Sequence, residues 1–466
     1  MTTAITIGMI IIYVAIMMGI GVYTARQTRS VSDFVLGSHS VGSWLTAFAY
    51  GTSYFSAVVF IGYAGQFGWT YGVSAAWVGV GNALLGSLLA WIVLGRRTRI
   101  MTQSLGAKTM PEYFEKRWNS KGLKIAAALI VFVFLIPYTA SVYNGLSRLF
   151  NMAFQIESEG AYKIIIIVMA LLTAIYVILG GYAATAINDF IQGIVMLIGI
   201  AAVVICAIQN QGGLTSALAA LGEIEVNGKT NTLNSVFGPD PLNLLGVVIL
   251  TSLGTWGLPQ MIHKFYAIKS ENDIKKGAVI STVFALIVAG GSYLLGGFDR
   301  LFCTLTEDGS GKTVISTLSN GKPDFDAMIP SLLHTALPDI LIGLVVVLVL
   351  SASMSTLSSL VLTSSSTLTI DLIKPNLKKC SDKKEMLIMR VLIAVFLVIS
   401  VLLAFNKNAS ISTLMSYSWG ALAGAFLGPF MYGLFSRKIT KPAVWTSFIL
   451  GIGLTLVHMF LFGFGW

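Results

Sequence analysis

Ser351-Ala-Ser-Met-Ser-Thr-Leu-Ser-Ser359 places six hydroxyl side chains in nine residues, inside an apolar run from Ile340 to about Leu368. A run of that length reads as a bilayer-spanning helix, yet hydroxyls stand where aliphatic side chains are expected. At helical spacing Ser355, Ser358 and Ser359 share one face, and Ala352, Thr356 and Ser359 share an adjoining one. Two readings compete. Small residues let membrane helices approach closely, and Ser or Thr bonds back to its own backbone carbonyls. Alternatively, an oxygen-rich face with no net charge and little bulk suits a small, desolvated hard cation.

The rest of the chain sets the frame for that helix. Of 466 residues, 55% are hydrophobic and only 11% charged, with mean hydropathy +0.81. Soluble domains carry roughly 25% charged residues, so this is an all-α polytopic membrane protein. Twelve spans are expected: 3–24, 42–65, 74–95, 125–147, 162–180, 186–208, 242–262, 277–298, 340–369, 386–405, 410–435 and 442–464. The first has no basic flank and no small-residue cleavage site, so it reads as a helix rather than a signal peptide.

Basic residues set the orientation. With the N-terminus outside, the inner loops 25–41, 96–124, 263–276, 370–390 and 436–441 hold 23 Lys or Arg, and the outer side holds seven. Both termini are therefore expected outside a plasma membrane, a bacterial cytoplasmic membrane in the first instance. The net charge of +10 is explained by this asymmetry. Nothing supports a nucleic-acid partner, and no obligate protein partner is evident beyond the lipid bilayer. In loop 96–124, Thr109-Met-Pro-Glu112 reads as the capped start of a short basic helix. Cys206, Cys303 and Cys380 fall in a helix, an outer loop and an inner loop, which excludes a disulfide framework, and no Cys/His spacing suggests a metal. The four histidines (His39, His263, His334, His458) lie in loops or toward span ends, which argues against an intramembrane enzyme with a nucleophile–base pair.

Two spans look broken. Leu45-Thr-Ala-Phe-Ala-Tyr-Gly-Thr-Ser-Tyr-Phe-Ser-Ala57 gathers Gly51, Thr52, Ser53 and Ser56 at its middle, where unwound backbone exposes carbonyls. Thr251-Ser-Leu-Gly-Thr-Trp-Gly-Leu-Pro259 is interrupted by two glycines and a proline. The broken spans begin 200 residues apart. Five spans per unit, an odd number, would invert the second copy, as in inverted-repeat secondary transporters. The expected organisation is one transmembrane domain, 1–466, with an extra helix at 3–24, repeats at 42–208 and 242–435, and a final helix at 442–464. Asn188-Asp189 opens the sixth span; a carboxylate there either faces a partner or cavity, or caps a helix N-terminus. Pro137 predicts a kink beside Tyr138, which lines a cavity or a helix contact.

Thr28…Asp33-Phe34…Gly37, the Gly51–Gly62 segment, Asn188-Asp-Phe-Ile-Gln192, Gly257-Leu-Pro259 and Met354-Ser-Thr-Leu-Ser358 together resemble the sodium/solute symporter family, whose members include bacterial proline and pantothenate symporters. The resemblance runs over nearly the whole chain in the right order. Members often have thirteen helices, against twelve expected here. The resemblance implies a LeuT-type 5+5 inverted-repeat fold, with the first helix of each repeat discontinuous, and sodium-coupled symport by alternating access. By motif, the main Na⁺ site falls on the Thr52 and Phe55 carbonyls, the Ala352 carbonyl and the Ser355 and Thr356 hydroxyls. Asp189, Ser355, Ser358 and Ser359 match a second Na⁺ site found in some members, so one or two coupling ions are implied. Tyr54, Ser56, Tyr138, Thr255 and Trp256 are the candidate solute contacts. Proline symporters carry an Asp where Tyr54 stands and a Trp where Thr251 stands, and Tyr54-Phe-Ser56 with Gly257-Leu-Pro259 looks closer to the pantothenate branch. The implied cargo is a small organic solute, an amino acid such as proline or a monocarboxylate such as pantothenate. The alternative is a transporter-derived membrane sensor, which would usually carry a cytoplasmic signalling domain.

Overall fold

The computed structural model describes residues 2–26, 30–37, 41–155, 158–307, 311–318, 321–377, 381–405 and 410–462. Thr28, His39 and Cys380 lie outside the described residues. The chain is almost entirely helical; one two-residue parallel strand pair joins Cys303–Thr304 to Thr313–Val314. The principal helices are α1 (Thr2–Ala25), α2 (Ser43–Tyr54), α3 (Ala64–Tyr71), α4 (Lys121–Phe154), α5 (Glu159–Asn210), α6 (Pro241–Leu253), α7 (Pro259–Ala267), α8 (Glu271–Gly296), α9 (Asp339–Thr367), α10 (Asp382–Ala404), α11 (Ile411–Phe435) and α12 (Lys441–Phe462).

Eight described helices are long and apolar enough to cross a membrane, or nine if the bent pair α6–α7 is one span. Two of the eight are too long for one crossing. At about 1.5 Å per residue, the 52 residues of α5 and the 48 of the Val58–Leu105 stretch each far exceed a bilayer core of about 30 Å. Each contains one glycine in the same left-handed conformation: Gly181 (φ 55°, ψ −145°) and Gly72 (φ 63°, ψ −145°). A Cβ at either would also meet backbone, 2.7 Å from the Phe34 carbonyl oxygen or 2.2 Å from that of Leu233. Only glycine fits both demands. Divided at these points, with α2 joined to the short piece before Gly72, the bent pair α6–α7 counted as one and α11 added, the described residues yield the twelve crossings expected.

Both broken helices are present, and their backbones match. α2 stops at Phe55 (φ −92°, ψ 120°) before a π-helical turn, Val58–Tyr63, leads into α3. α6 passes through a 3₁₀ turn, Gly254–Gly257, and Leu258 (φ −84°, ψ 120°) before α7, with a 53° bend. The first break lies at Phe55–Ser56 and not at Gly51, which stays helical. Gly51 is instead needed for packing, since a Cβ there would stand 2.4 Å from the Phe284 ring.

α9 is the central post. Every residue from Val345 to Thr367 is buried, as expected of a helix enclosed on all sides. It packs against α1, α4 and α5, and α2 lies against α5, α8 and α9. The periphery is apolar and exposed: Ile11 and Ile12 on α1 and Phe460 and Leu461 on α12 present the surface that lipid would cover. At one seam the backbones touch. A Cβ on Gly68 of α3 would lie 2.0 Å from the Gly296 carbonyl carbon at the end of α8, and one on Gly79 would lie 2.4 Å from Gly290.

The capped helix expected in loop 96–124 forms over Met110–Trp118, and the Thr109 hydroxyl accepts from the Glu112 amide at 3.2 Å. Pro137 sits inside α4. The segment 263–276 does not begin as the inner loop expected: α7 continues to Ala267, and His263 and Lys264 are buried within the fold. Counting Lys264 as a loop charge was therefore a misreading, because the apolar pattern weakens one turn before the helix ends.

Candidate cation and solute site

The break in α2 leaves its last carbonyls without next-turn amide partners. α9 supplies what faces them. The Thr356 Oγ1 lies 3.4 Å from the Thr52 carbonyl, 3.3 Å from that of Phe55 and 3.2 Å from that of Ala352 one turn earlier on α9. One hydroxyl carries one proton, so it cannot satisfy three carbonyls at once. Ser355, the neighbouring residue, holds a buried hydroxyl that faces the Asp189 carboxylate without reaching ordinary hydrogen-bond geometry. The result is a buried concentration of oxygen lone pairs with too few protons. An oxygen-coordinated monovalent cation would resolve that imbalance.

The bland reading of the hydroxyl-rich helix is right for some of its members. Ser358 bonds back to the Ser355 carbonyl at 2.8 Å, Ser365 to Leu362 and Ser366 to Thr363. These are intrahelical bonds that need no ligand.

Asp189 lies eight residues beyond Gly181 and is fully buried, so it is not an N-terminal cap. It faces Ser355 and Lys264; the Lys264 Nζ is 3.5 Å from its Oδ2. That Nζ donates to the Ser359 Oγ at 3.0 Å, and Ser359 shares a 2.8 Å hydrogen bond with Ser53 on α2. The structure thus brings Asp189, Ser355 and Ser359 to one side of α9, as the motif implied, and adds a cation that the sequence reading had assigned to a loop.

The five expected solute contacts divide. Tyr54 and Tyr138 both lie against Trp419 of α11, with ring centroids 5.9 Å and 6.2 Å away. The Tyr138 hydroxyl and the Trp419 indole N–H are buried polar ends with no partner beyond each other. Ser56 accepts from the Val58 amide at 3.2 Å and starts the second half of its broken helix. Thr255 donates to the Ser252 carbonyl, and the Trp256 indole to the Leu85 carbonyl at 3.1 Å. These three are occupied in holding the breaks. Trp419 and Asn82 were not singled out beforehand. Asn82 accepts from both Thr251 and Ser252 at 3.1 Å and leaves its Nδ2 unpartnered. Between Tyr50, Tyr54, Asn82 and Met261 the free space is only about 10 Å³, so a solute there requires the rings to part.

The two ends of this centre are closed by polar contacts. Arg148 Nη1 pairs with Asp324 at 2.7 Å, and Asp326 accepts from the Ile411 amide at 3.0 Å. At the other end the Thr109 hydroxyl donates to Asp371 at 2.7 Å, and Lys124 pairs with Glu115 at 2.8 Å.

A family model described as "Sodium:solute symporter family" matches residues 34–451. The chain belongs to the sodium:solute symporter family. Its relatives include the sodium/proline symporters of Staphylococcus aureus strains JH9 and NCTC 8325, each 30% identical over 459 residues, covering 96% of this chain and 85% of the relative. Among solved structures it is similar to a Na⁺-coupled sialic acid symporter in a substrate-bound, outward-open state (TM-score 0.75, 18% identity, 99% of this chain and 93% of that one). It is also similar to Mhp1, a nucleobase-cation-symport-1 family transporter in a closed conformation (TM-score 0.54, 13% identity, 93% and 96%). At those identities the structural likenesses show the fold, an all-α LeuT-type transporter. As a member of this family the protein is a multi-pass membrane transporter that couples solute movement to sodium, and not an enzyme.

Proposed function

We propose that this symporter imports a small organic solute with Na⁺ bound by the Thr52, Phe55 and Ala352 carbonyls and the Ser355 and Thr356 hydroxyls. One observation carries the reading: the Thr356 hydroxyl stands among three carbonyls, two of them at the break of α2. An ion there ties α2 to α9, so its arrival favours whichever arrangement brings the two together. The membrane potential supplies ~2.3 kcal/mol per charge per 100 mV before any concentration term.

The solute site is read as the aromatic chamber of Tyr54, Tyr138 and Trp419, with Asn82 across it. No basic side chain points into that chamber among the contacts described, so a carboxylate would be held by hydroxyl, indole and amide N–H groups and by helix termini. Proline is the first solute to test because the curated relatives above are named for it, even though Tyr54 and Thr251 depart from the proline pattern. The matching φ/ψ at Phe55 and Leu258 supports reading 42–208 and 242–435 as the two repeats. The excess of basic residues on one side supports termini outside the cell.

The test is uptake of radiolabelled proline, with other amino acids and pantothenate as competitors, into proteoliposomes with and without an inward Na⁺ gradient. Uptake that requires the gradient is expected. Accumulation of every solute tried at the same rate with Na⁺ and with choline would overturn the reading.

A further inference from the structure

The second set of oxygens implied for a cation already faces one. Lys264 is 2% exposed, on the α7 half of the second broken helix. Its ammonium lies 3.0 Å from Ser359 Oγ and 3.5 Å from Asp189 Oδ2. The Tyr182 ring closes the remaining side, 5.4 Å from Nζ to the centroid. Ser359 passes the contact on to Ser53 of α2. One side chain thereby connects α7, α5, α9 and α2 at a single buried point.

We propose that the Lys264 ammonium is the second cation of this transporter: a tethered substitute that occupies the Asp189–Ser359 site, so that the protein binds one Na⁺ and not two. The inference rests on reading Thr52, Phe55, Ala352, Ser355 and Thr356 as the sodium site. Its argument is charge balance. Among the described residues Asp189 is the one carboxylate at this point, and one carboxylate neutralises one monovalent cation. Sodium added beside the ammonium would have to share that single carboxylate and the same few oxygens with it, placing two like charges in direct contact in an interior of low dielectric. Three protons of an ammonium also match the acceptors present, namely the Asp189 carboxylate, the Ser359 oxygen and the Tyr182 ring face. Because the cation is part of α7, it reaches and leaves Asp189 only as α7 moves. It therefore contributes no charge from outside to the cycle.

The deciding measurement is a count of ²²Na⁺ bound at saturation by the purified full-length protein in detergent, which needs no knowledge of the solute. Wild type is expected to bind one ion, with a Hill coefficient of 1. Lys264→Met should bind two, and Lys264→Arg, which keeps a cation, should bind one. Lys264→Gln is the second neutral variant should the Met form not be recovered folded; it keeps a polar end with no charge, and the expected count is again two. Two ions bound by wild type, or one bound by either folded neutral variant, overturns the proposal. No saturable ²²Na⁺ binding by wild type would instead remove the main-site reading on which it stands.

Discussion

On the proposed reading Thr356 is central to sodium binding, because its hydroxyl reaches from α9 to the Thr52 and Phe55 carbonyls at the α2 break. Thr356→Ala removes an oxygen ligand but leaves the three carbonyls in place. Losing one such contact costs on the order of 1–3 kcal/mol, so the Na⁺ concentration for half-maximal uptake should rise by roughly five- to a hundredfold. A sodium titration of initial uptake rates checks this; an unchanged half-saturation value would remove Thr356 from the site. Trp419→Phe tests the chamber separately. It keeps the ring against Tyr54 and Tyr138 and deletes the indole N–H, so KM for the solute should rise several-fold while sodium half-saturation stays where it was. At this scale the sequence was legible where chemistry is dense. Hydroxyls crowded on two adjoining faces drew attention to Ser355 and Thr356 before any geometry was known. Lys264 was not legible, since a lysine near the end of an apolar stretch looks like an orientation charge until the partner acid, 75 positions away, is placed beside it. Trp419 was hidden for a different reason: Tyr417-Ser-Trp-Gly420 reads as packing or a flexible joint, since an aromatic in a membrane helix has no pattern that separates packing from contact with solute.

At the scale of elements, glycines were good markers of something special but poor guides to what. Gly51 signalled a break that lies four residues later, at Phe55–Ser56, because helix termination follows from backbone that the π turn and Ser56 hold, and not from flexibility alone. Its own task is to admit Phe284. Gly51→Ala should therefore destabilise the protein by the usual cost of overpacking, about 1–3 kcal/mol. Phe284→Leu in the same chain should recover most of that loss. Thermal melts of the two variants in detergent, alone and combined, decide it, and additive losses would show that the ring is not the obstacle. The fifth span was expected to end at 180, and the positive φ of Gly181 puts a kink in the helix at that point.

Across the whole molecule, the twelve-crossing plan and the pair of broken helices could be read from hydropathy and from the spacing of the breaks. The polar contacts at the two ends could not, because Arg148–Asp324 and Thr109–Asp371 join residues 176 and 262 positions apart. Asp326 at one mouth illustrates the energetics. Burial raises its carboxyl from 3.8 to about 6, opposed by the Arg148 charge and the Ile411 amide. Below pH 3.8 the folded and unfolded chains both carry the proton. Between there and about pH 6 the unfolded chain releases it while the folded one retains it, so stability declines as pH rises through that window and then levels off. Asp326→Asn should flatten the dependence of Tm on pH between about 4.5 and 6.5, and a slope identical to wild type would assign the effect to other groups.

The contact of Gly68 with Gly296 has a mechanical corollary. With no side chain between them, α3 and the end of α8 have no slip plane, so a swing of one drags the other like a two-bar lever. Since α3 belongs to the first proposed repeat and α8 to the second, any motion that displaces one half of the sequence at this seam would carry the other with it.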